Sequence, residues 1–330
     1  MEKKQKIEGY IIGVDGGGTK TVAALADLEG KILKVAKSGS SSPRNIGTKE
    51  AMTNVAQAIE KVLAPIKDQK ILSTFLGLPT MEEEFKFKKD VIRKELLKHK
   101  EISPIFKGKL LIGSDQLAGF RAGSDEKDGV VLIAGSGCVA HGWRGKKEVK
   151  VCGWGYLSEM GSGFWIGQKG LQAIWKDLDG RGPKTIITKL VFRRLKVKNK
   201  ENFIEKIYFH PHTKFWCGGK KNPTEIISPL SILVDRAAKK GDRVAKDILT
   251  EAGKELAASA NTVIKRLTPT FVRERPGFPL VLVGSLFKSK IVLAEVKKEI
   301  KKLASKVIFI RPRVAPVIGA IKLAIEEIKN

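Results

Sequence analysis

Tyr10-Ile11-Ile12-Gly13-Val14-Asp15-Gly16-Gly17-Gly18-Thr19-Lys20-Thr21-Val22-Ala23-Ala24-Leu25-Ala26 is the stretch on which the reading of this chain turns. A short apolar run ends on an acid, passes through three glycines and resumes as a second apolar run, so the motif joins strand to strand. The P-loop and the dinucleotide fingerprint both feed a helix N-terminus, and this arrangement excludes them. Glycines let the backbone approach an anion closely and turn N–H groups toward it. Thr19 adds a hydroxyl donor, and Asp15 is suited to hold a magnesium ion directly or through water. A plain glycine hairpin needs neither three glycines nor an acid at the end of a buried strand. A phosphate-binding turn is the expectation.

Working outward, Leu28 to Lys31 reads as a hairpin turn into a strand over Ile32 to Ala36. Residues 48–63 carry helical spacing (Ala51, Val55, Ala58, Ile59, Val62), Ile71 to Leu78 is a buried-strand run, and 82–98 is helical. Leu110 to Asp115 reads as a strand ending on an acid. This β-β-β-α-β-α-β order predicts a mixed sheet covered by helices. A second unit opens in the same way: Val130 to Ala134 runs into Gly135-Ser136-Gly137, and Cys138 to Trp143 returns as a strand. Helices are expected over 163–178, 184–197, 226–240 and 242–266, strands over Leu280 to Val283 and Val307 to Ile310, and a closing helix over Val317 to Ile328. The expected domains are 1–118 and 119–315, with the closing helix (about 316–330) packing back on the first.

With 330 residues, the chain has room for two domains. It is 42% hydrophobic and 29% charged, a globular mixture. No stretch approaches the roughly 20 apolar residues of a membrane span, the opening residues do not read as a signal peptide, and no membrane partner is expected. Cys138, Cys152 and Cys217 are an odd, widely spaced set, which favours a reducing, cytoplasmic setting. The 62 Lys and Arg against 35 Asp and Glu leave a net charge of +27. Aromatic residues are not interleaved with the basic clusters, so a Lys-rich solvated surface is a better reading than a nucleic-acid interface. Such a field still attracts an anionic nucleotide.

Gly135-Ser136-Gly137 repeats the logic of the first turn, and two such turns facing each other across a cleft could grip a triphosphate. Gly284-Ser285, after a third apolar strand, allows another close backbone approach, suited to a base or ribose. Asp115 could accept the proton of a substrate hydroxyl attacking a γ-phosphorus, or merely cap the following turn. His210, His212 and Cys217 lack a fourth ligand and match no zinc spacing, so a surface turn is the better reading. Cys138 would be a reactive thiol only if exposed and acidified.

At this point the chain resembles the N-acetylglucosamine kinase family, grouped with the BadF/BadG/BcrA/BcrD-type ATPases in the sugar kinase superfamily of the actin and hexokinase type. The resemblance runs through Asp15–Thr21, Ile46–Thr48, Ser114-Asp115, Ile133–Gly137, Gly153–Gly155 with Gly161–Gly167, Asp179–Pro183, Ala237–Asp242, Val283–Ser285 and Pro316–Ala320. It implies an α/β fold of two ribonuclease H-like (actin-like ATPase) domains, each a mixed five-stranded sheet with helices, around a nucleotide cleft. It further implies an ATP-dependent kinase of a hexose or amino sugar, with Mg2+ and ATP; a homodimer is compatible with it.

Carried over residue by residue, Asp115 matches the catalytic base that also contacts the sugar, and Asp15 the metal-associated acid. Gly17, Gly18, Thr19 and Lys20 match the first phosphate loop and Gly135, Ser136 and Gly137 the second. Pro229, Gly284 and Ser285 fall near the nucleotide. Ser42, Cys138, Gly153, Trp154, Gly155 and Glu159 fall on the sugar side. Departures from the family cluster there too. Ser42 stands where Asn is usual, Leu78 to Met81 replaces a more Gly- and Ser-rich loop, and Ser158-Glu159-Met160-Gly161-Ser162 is one residue shorter than the usual Gly-Asp-Glu-Gly-Ser run. The alternatives to a sugar kinase are a BadF/BadG-type ATPase or a nucleotide-binding sensor without kinase activity.

Overall fold

A computed structural model describes residues 9–64, 66, 70–79, 86–209, 223–267 and 277–329. The chain divides into two compact units. One comprises Met1–Glu126 with Ile310–Asn330, the other Lys127–Phe309.

In the first unit, strands β1 (Tyr10–Gly16), β2 (Thr21–Ala26), β3 (Ile32–Ser38), β4 (Ile71–Leu78) and β5 (Lys109–Ser114) form one sheet in the order β3-β2-β1-β4-β5. The first three pair antiparallel, while β1–β4 and β4–β5 are parallel. Side chains alternate across a strand, and here the alternation sorts residues into two cores. Ile12, Val14, Ala23 and Leu25 pack with the helix Thr48–Leu63 through Ala51, Met52, Val55 and Ile59. Ile11, Val22, Ala24 and Ala26 pack with Val317, Ala320, Ile321 and Ala324 of the closing helix, Pro316–Lys329. Because both faces are covered, β1 and β2 read as continuous apolar runs. Edge strand β3 instead alternates half-buried with exposed residues and turns Lys34 and Lys37 into its pairing with β2.

The second unit repeats this plan. Strands β6 (Gly129–Ala134), β7 (Cys138–Arg144), β8 (Lys147–Cys152), β9 (Pro279–Val283) and β10 (Ile308–Ile310) stand in the order β10-β9-β6-β7-β8. Strand pairs β6–β7 and β7–β8 are antiparallel and β6–β9 is parallel, as in the first sheet. The helices Gly163–Asp179, Leu230–Lys239, Arg243–Leu267 and Lys290–Leu303 supply the core around it.

Three expectations are corrected. Strand β5 stops at Ser114, and Asp115 opens the helix Asp115–Gly123 instead of ending the strand. The Ser114 hydroxyl accepts from Leu117 N at 3.2 Å, so serine caps the helix and the acid follows it. The helix expected over 226–240 is two, Pro223–Ile227 and Leu230–Lys239, broken at Pro229, which has no N–H to continue the first. The boundary expected at 118/119 falls inside Asp115–Gly123, a helix packed on the closing helix; the chain divides after Glu126.

Candidate active site

Parallel strands place their carboxyl ends together, and in the first unit those ends carry the predicted acids. Asp15 of β1 pairs with Gly77 of β4, and Gly77 with Gly113 of β5. An added Cβ on Gly77 would lie 3.4 Å from the Asp115 Cα and 3.1 Å from the Val14 carbonyl. A bare Gly77 therefore lets Asp115 start its helix directly beside β1. Asp15 is half-buried, and burial raises its carboxyl from 3.8 to about 6 against the opposing pull of Lys20.

The turn that follows is held by its carbonyls. Gly17 N donates to Lys20 O at 3.0 Å, closing the turn. The Gly17 carbonyl accepts from Ser41 N at 3.1 Å and Ser40 Oγ at 3.4 Å, and the Gly18 carbonyl from Asn45 Nδ2 at 3.2 Å. In a trans peptide the C=O of one residue and the N–H of the next point opposite ways. Tethering these two carbonyls thus aims the N–H groups of Gly18 and Thr19 away from the Ser40–Asn45 segment. Gly18, Thr19 and Lys20 are exposed. Ser42 is buried and precedes the short helix Pro43–Ile46; its amide donates to Ser40 Oγ at 3.1 Å.

The second turn is built on the same device from different parts. Gly135 N donates to Gly137 O at 2.8 Å. The Gly135 carbonyl accepts from Gly163 N at 2.8 Å and the Ser136 carbonyl from Phe164 N at 3.0 Å, both at the start of Gly163–Asp179. The Ser136 and Gly137 N–H groups are aimed away from that helix. Ser162 caps it, its hydroxyl accepting from Trp165 N at 3.2 Å. Gly284 follows β9, the parallel neighbour of β6, with φ at +115°; a Cβ there would meet the Ala134 carbonyl. Gly284 and Ser285 are therefore next to the second turn and exposed. Pro229 is exposed at the start of Leu230–Lys239.

Glu159 joins the second turn to the stretch matched to the sugar side. One carboxylate oxygen accepts from Cys138 N at 3.3 Å and the other from Gly155 N at 3.0 Å. Cys152, Gly153 and Gly155 all have positive φ, a conformation that for Cys152 is uncommon and strained. Trp154 is half-exposed, with Lys150 Nζ 4.5 Å from its ring centroid. Cys138 is buried, and its thiol donates to the Met160 carbonyl at 3.2 Å.

Thus Asp15, Asp115 and the first turn come together in one unit, and Gly135–Cys138, Gly153–Gly155, Glu159 and Gly284-Ser285 in the other. Asn45, Ser40, Ser41 and Gly77 were missed by sequence reasoning. Only tertiary contacts give the first three their role, whereas the glycine at a strand end opposite Asp15 was a usable signal. Thr80, Met81, His210, His212 and Cys217 lie outside the described residues. Among the described residues, no group of three or more His, Cys, Asp or Glu is arranged to hold a metal ion, and no helix is long and apolar enough to cross a membrane.

A curated N-acetylmuramic acid/N-acetylglucosamine kinase of Clostridium acetobutylicum is 30% identical over 267 residues, covering 78% of this chain and 80% of that protein. The N-acetyl-D-glucosamine kinase of Dictyostelium discoideum is 28% identical over 96% of this chain and 98% of its own length. Among solved structures, a candidate N-acetylglucosamine kinase from Chromobacterium violaceum superposes with a TM-score of 0.68 at 21% identity, covering 96% of this chain and 99% of that one. The fold is that of the actin-like ATPase sugar kinases. Residues 12–324, nearly the whole of both units, match the BadF/BadG/BcrA/BcrD ATPase family, and the chain belongs to that family.

Proposed function

We propose that the chain is an ATP-dependent kinase of an amino sugar of the N-acetylglucosamine type. The observation that carries this reading is the pair of glycine turns. Each follows the first strand of a repeated sheet, and each has its carbonyls tethered so that consecutive N–H groups point outward. Such backbone donors suit phosphate oxygens. Gly17 to Lys20 form such a donor set in the first unit; in the second, Gly135 to Gly137 form another, with Gly284 and Ser285 beside it and Pro229 assigned to the nucleotide as well.

Phosphoryl transfer requires mainly positioning, charge neutralisation and one base. Asp115 takes the proton of the sugar's 6-hydroxyl as that oxygen bonds to the γ-phosphorus; the bond to the β–γ bridging oxygen breaks and ADP leaves. Asp15 fits Mg2+. A buried carboxylate whose charge is poorly solvated is relieved by a cation, and Mg2+ usually takes one or two carboxylates plus waters and substrate phosphates, not a full protein cage. When bound, the ion neutralises phosphate charge. For the sugar we assign Ser42 in the first unit and Cys138, Gly153, Trp154 and Gly155 in the second, where Glu159 holds that stretch against the second turn. Such substrates fit a cytoplasmic location.

The test is ADP release from Mg-ATP across glucose, glucosamine, N-acetylglucosamine, N-acetylmannosamine, N-acetylmuramic acid and no sugar, beside Asp115→Asn. Release stimulated by an N-acetylated amino sugar and abolished in the variant supports the reading. Sugar-independent release refutes it.

A further inference from the structure

Cys138 opens β7 and Cys152 closes β8, so both stand at the open end of the β7–β8 hairpin. Cys152 ends β8 opposite Val139, the residue after Cys138, so the two cysteines sit on adjacent strands one position out of register. Their thiols converge on one loop, Ser158–Met160. The Cys138 thiol reaches the Met160 carbonyl at 3.2 Å, and the Cys152 thiol reaches the Ser158 carbonyl at 3.8 Å and Ser259 Oγ at 3.3 Å. Cys152 also holds the strained positive φ noted above. Adjacent-strand spacing of this kind lies within the reach of a disulfide.

The two sulfurs differ in character. Cys138 is buried, and its thiol is pushed well up by the neighbouring Cys152 and by burial. Cys152 is half-buried and drawn down to about 6, first by the neighbouring Cys138 thiol and then by the hydrogen bond of Ser259, against burial and the carboxylates of Glu159 and Glu255. An acidified, half-buried thiol with a second thiol on the adjacent strand is the arrangement of a peroxide-sensitive pair.

We propose that Cys138 and Cys152 form a reversible dithiol–disulfide site, oxidised by a peroxide, whose disulfide ties the second glycine turn to the end of β8 and slows turnover. In the first step the Cys152 thiolate attacks a peroxide oxygen and the O–O bond breaks; with hydrogen peroxide, the sulfur is oxidised to a sulfenic acid and, with one proton taken up, one water leaves. The Cys138 sulfur then attacks the Cys152 sulfur, the S–O bond breaks, and a second water carries off the Cys138 proton. Two external thiols reverse the sequence, reducing the bond and becoming a disulfide themselves. The effect on turnover rests on the kinase reading; the disulfide does not.

The experiment uses the full chain carrying Cys217→Ser, treated with hydrogen peroxide and mapped by mass spectrometry without reduction. A peptide linking Cys138 to Cys152, lost on adding dithiothreitol, is the expected result. With Cys138→Ser added, Cys152 should be trapped as a sulfenic acid by dimedone, and with Cys152→Ser added instead, the Cys138 thiol should stay free. Cys152 remaining unoxidised, or passing to a sulfinic acid while Cys138 stays free in the parent protein, would overturn the site. Sugar-dependent ADP release should fall about tenfold in the mapped disulfide form and recover on reduction, as expected for a small displacement of a phosphate-positioning turn. Unchanged turnover in that form overturns the regulatory role. Absence of sugar-dependent release in the fully reduced protein counts against the kinase reading, while the peptide map still decides the disulfide.

Discussion

At the scale of single residues, Asp15 shows how a site is assembled against stability. Its folded carboxyl titrates near 6 and its unfolded one near 3.8. An acid whose value rises on folding contributes stability that is fully present below the unfolded value and is lost as pH rises through the folded one. At neutral pH, keeping Asp15 charged therefore costs the ligand-free protein about 2–3 kcal/mol. Asp15→Asn should melt higher than the parent at pH 7.5, and the gap should close as the pH is lowered through 6 toward 4. Thermal melts at the two pH values check this, and a gap that persists at pH 4 refutes the burial argument. The same variant should lose ATP turnover, because the buried charge that weakens the fold is the one that suits the cation. Asp242 serves the scaffold. Its carboxylate accepts from Thr185 Oγ1, Ile186 N and Ala245 N at 2.9, 2.6 and 2.8 Å, serving two helix starts at once. The family-like Ala237–Asp242 stretch is thereby explained as scaffolding.

Elements decide where those residues stand. Asn45 acts on the first turn only through the Gly18 carbonyl, and it is exposed. Asn45→Ala should raise the KM for ATP about fivefold, the equivalent of one hydrogen bond of roughly 1 kcal/mol, with kcat and melting temperature little changed. Steady-state kinetics and a melt decide it; an unchanged KM would mean that the tether does not orient the turn. Asp115 depends instead on the closing helix. Gly319 of that helix lies so close to Asp115–Gly123 that a Cβ would collide with the Ala118 carbonyl and the Ala122 amide. The buried Arg121 guanidinium is also held by Glu326 of the closing helix and donates to the Glu126 carbonyl at 2.7 Å. Gly319→Leu should therefore lower stability by about 3 kcal/mol or more, as overpacking against backbone does. It should reduce kcat more than KM for ATP, because it displaces Asp115, the proposed base, and not the turn. Equal stability in the variant would show that the two helices can separate freely.

At the scale of the whole molecule, most of the architecture is legible because it is written twice. Strand, glycine turn, strand and hairpin recur from Tyr10 and from Val130, and the two sheets repeat the same strand order and pairing. Periodicity alone announces β1, β2 and the helix Thr48–Leu63, whose apolar faces are continuous. The misread places are those where one residue's local chemistry overrides the pattern. Ser114 starts a helix an apolar run seemed to forbid, and Pro229 interrupts a periodic stretch that spacing alone would carry through. The turns themselves were legible as glycine clusters. What holds them was not, because Asn45, Gly163 and Glu159 are brought to the turns only by the fold. Glu159 in particular reads as a displaced sugar ligand in sequence, yet both its oxygens are engaged by backbone amides of the second turn and the 153–155 stretch.

The proposed function requires that Asp115 assist transfer of the γ-phosphoryl group of ATP to an amino sugar. Its most direct test is the initial rate of ADP release from Mg-ATP with and without N-acetylglucosamine, in the parent chain and in Asp115→Asn. Sugar-stimulated release is expected in the parent, with its loss by a factor of about 100 or more in the variant and nucleotide binding retained in both. Release that ignores the sugar, or that survives Asp115→Asn unchanged, would contradict it.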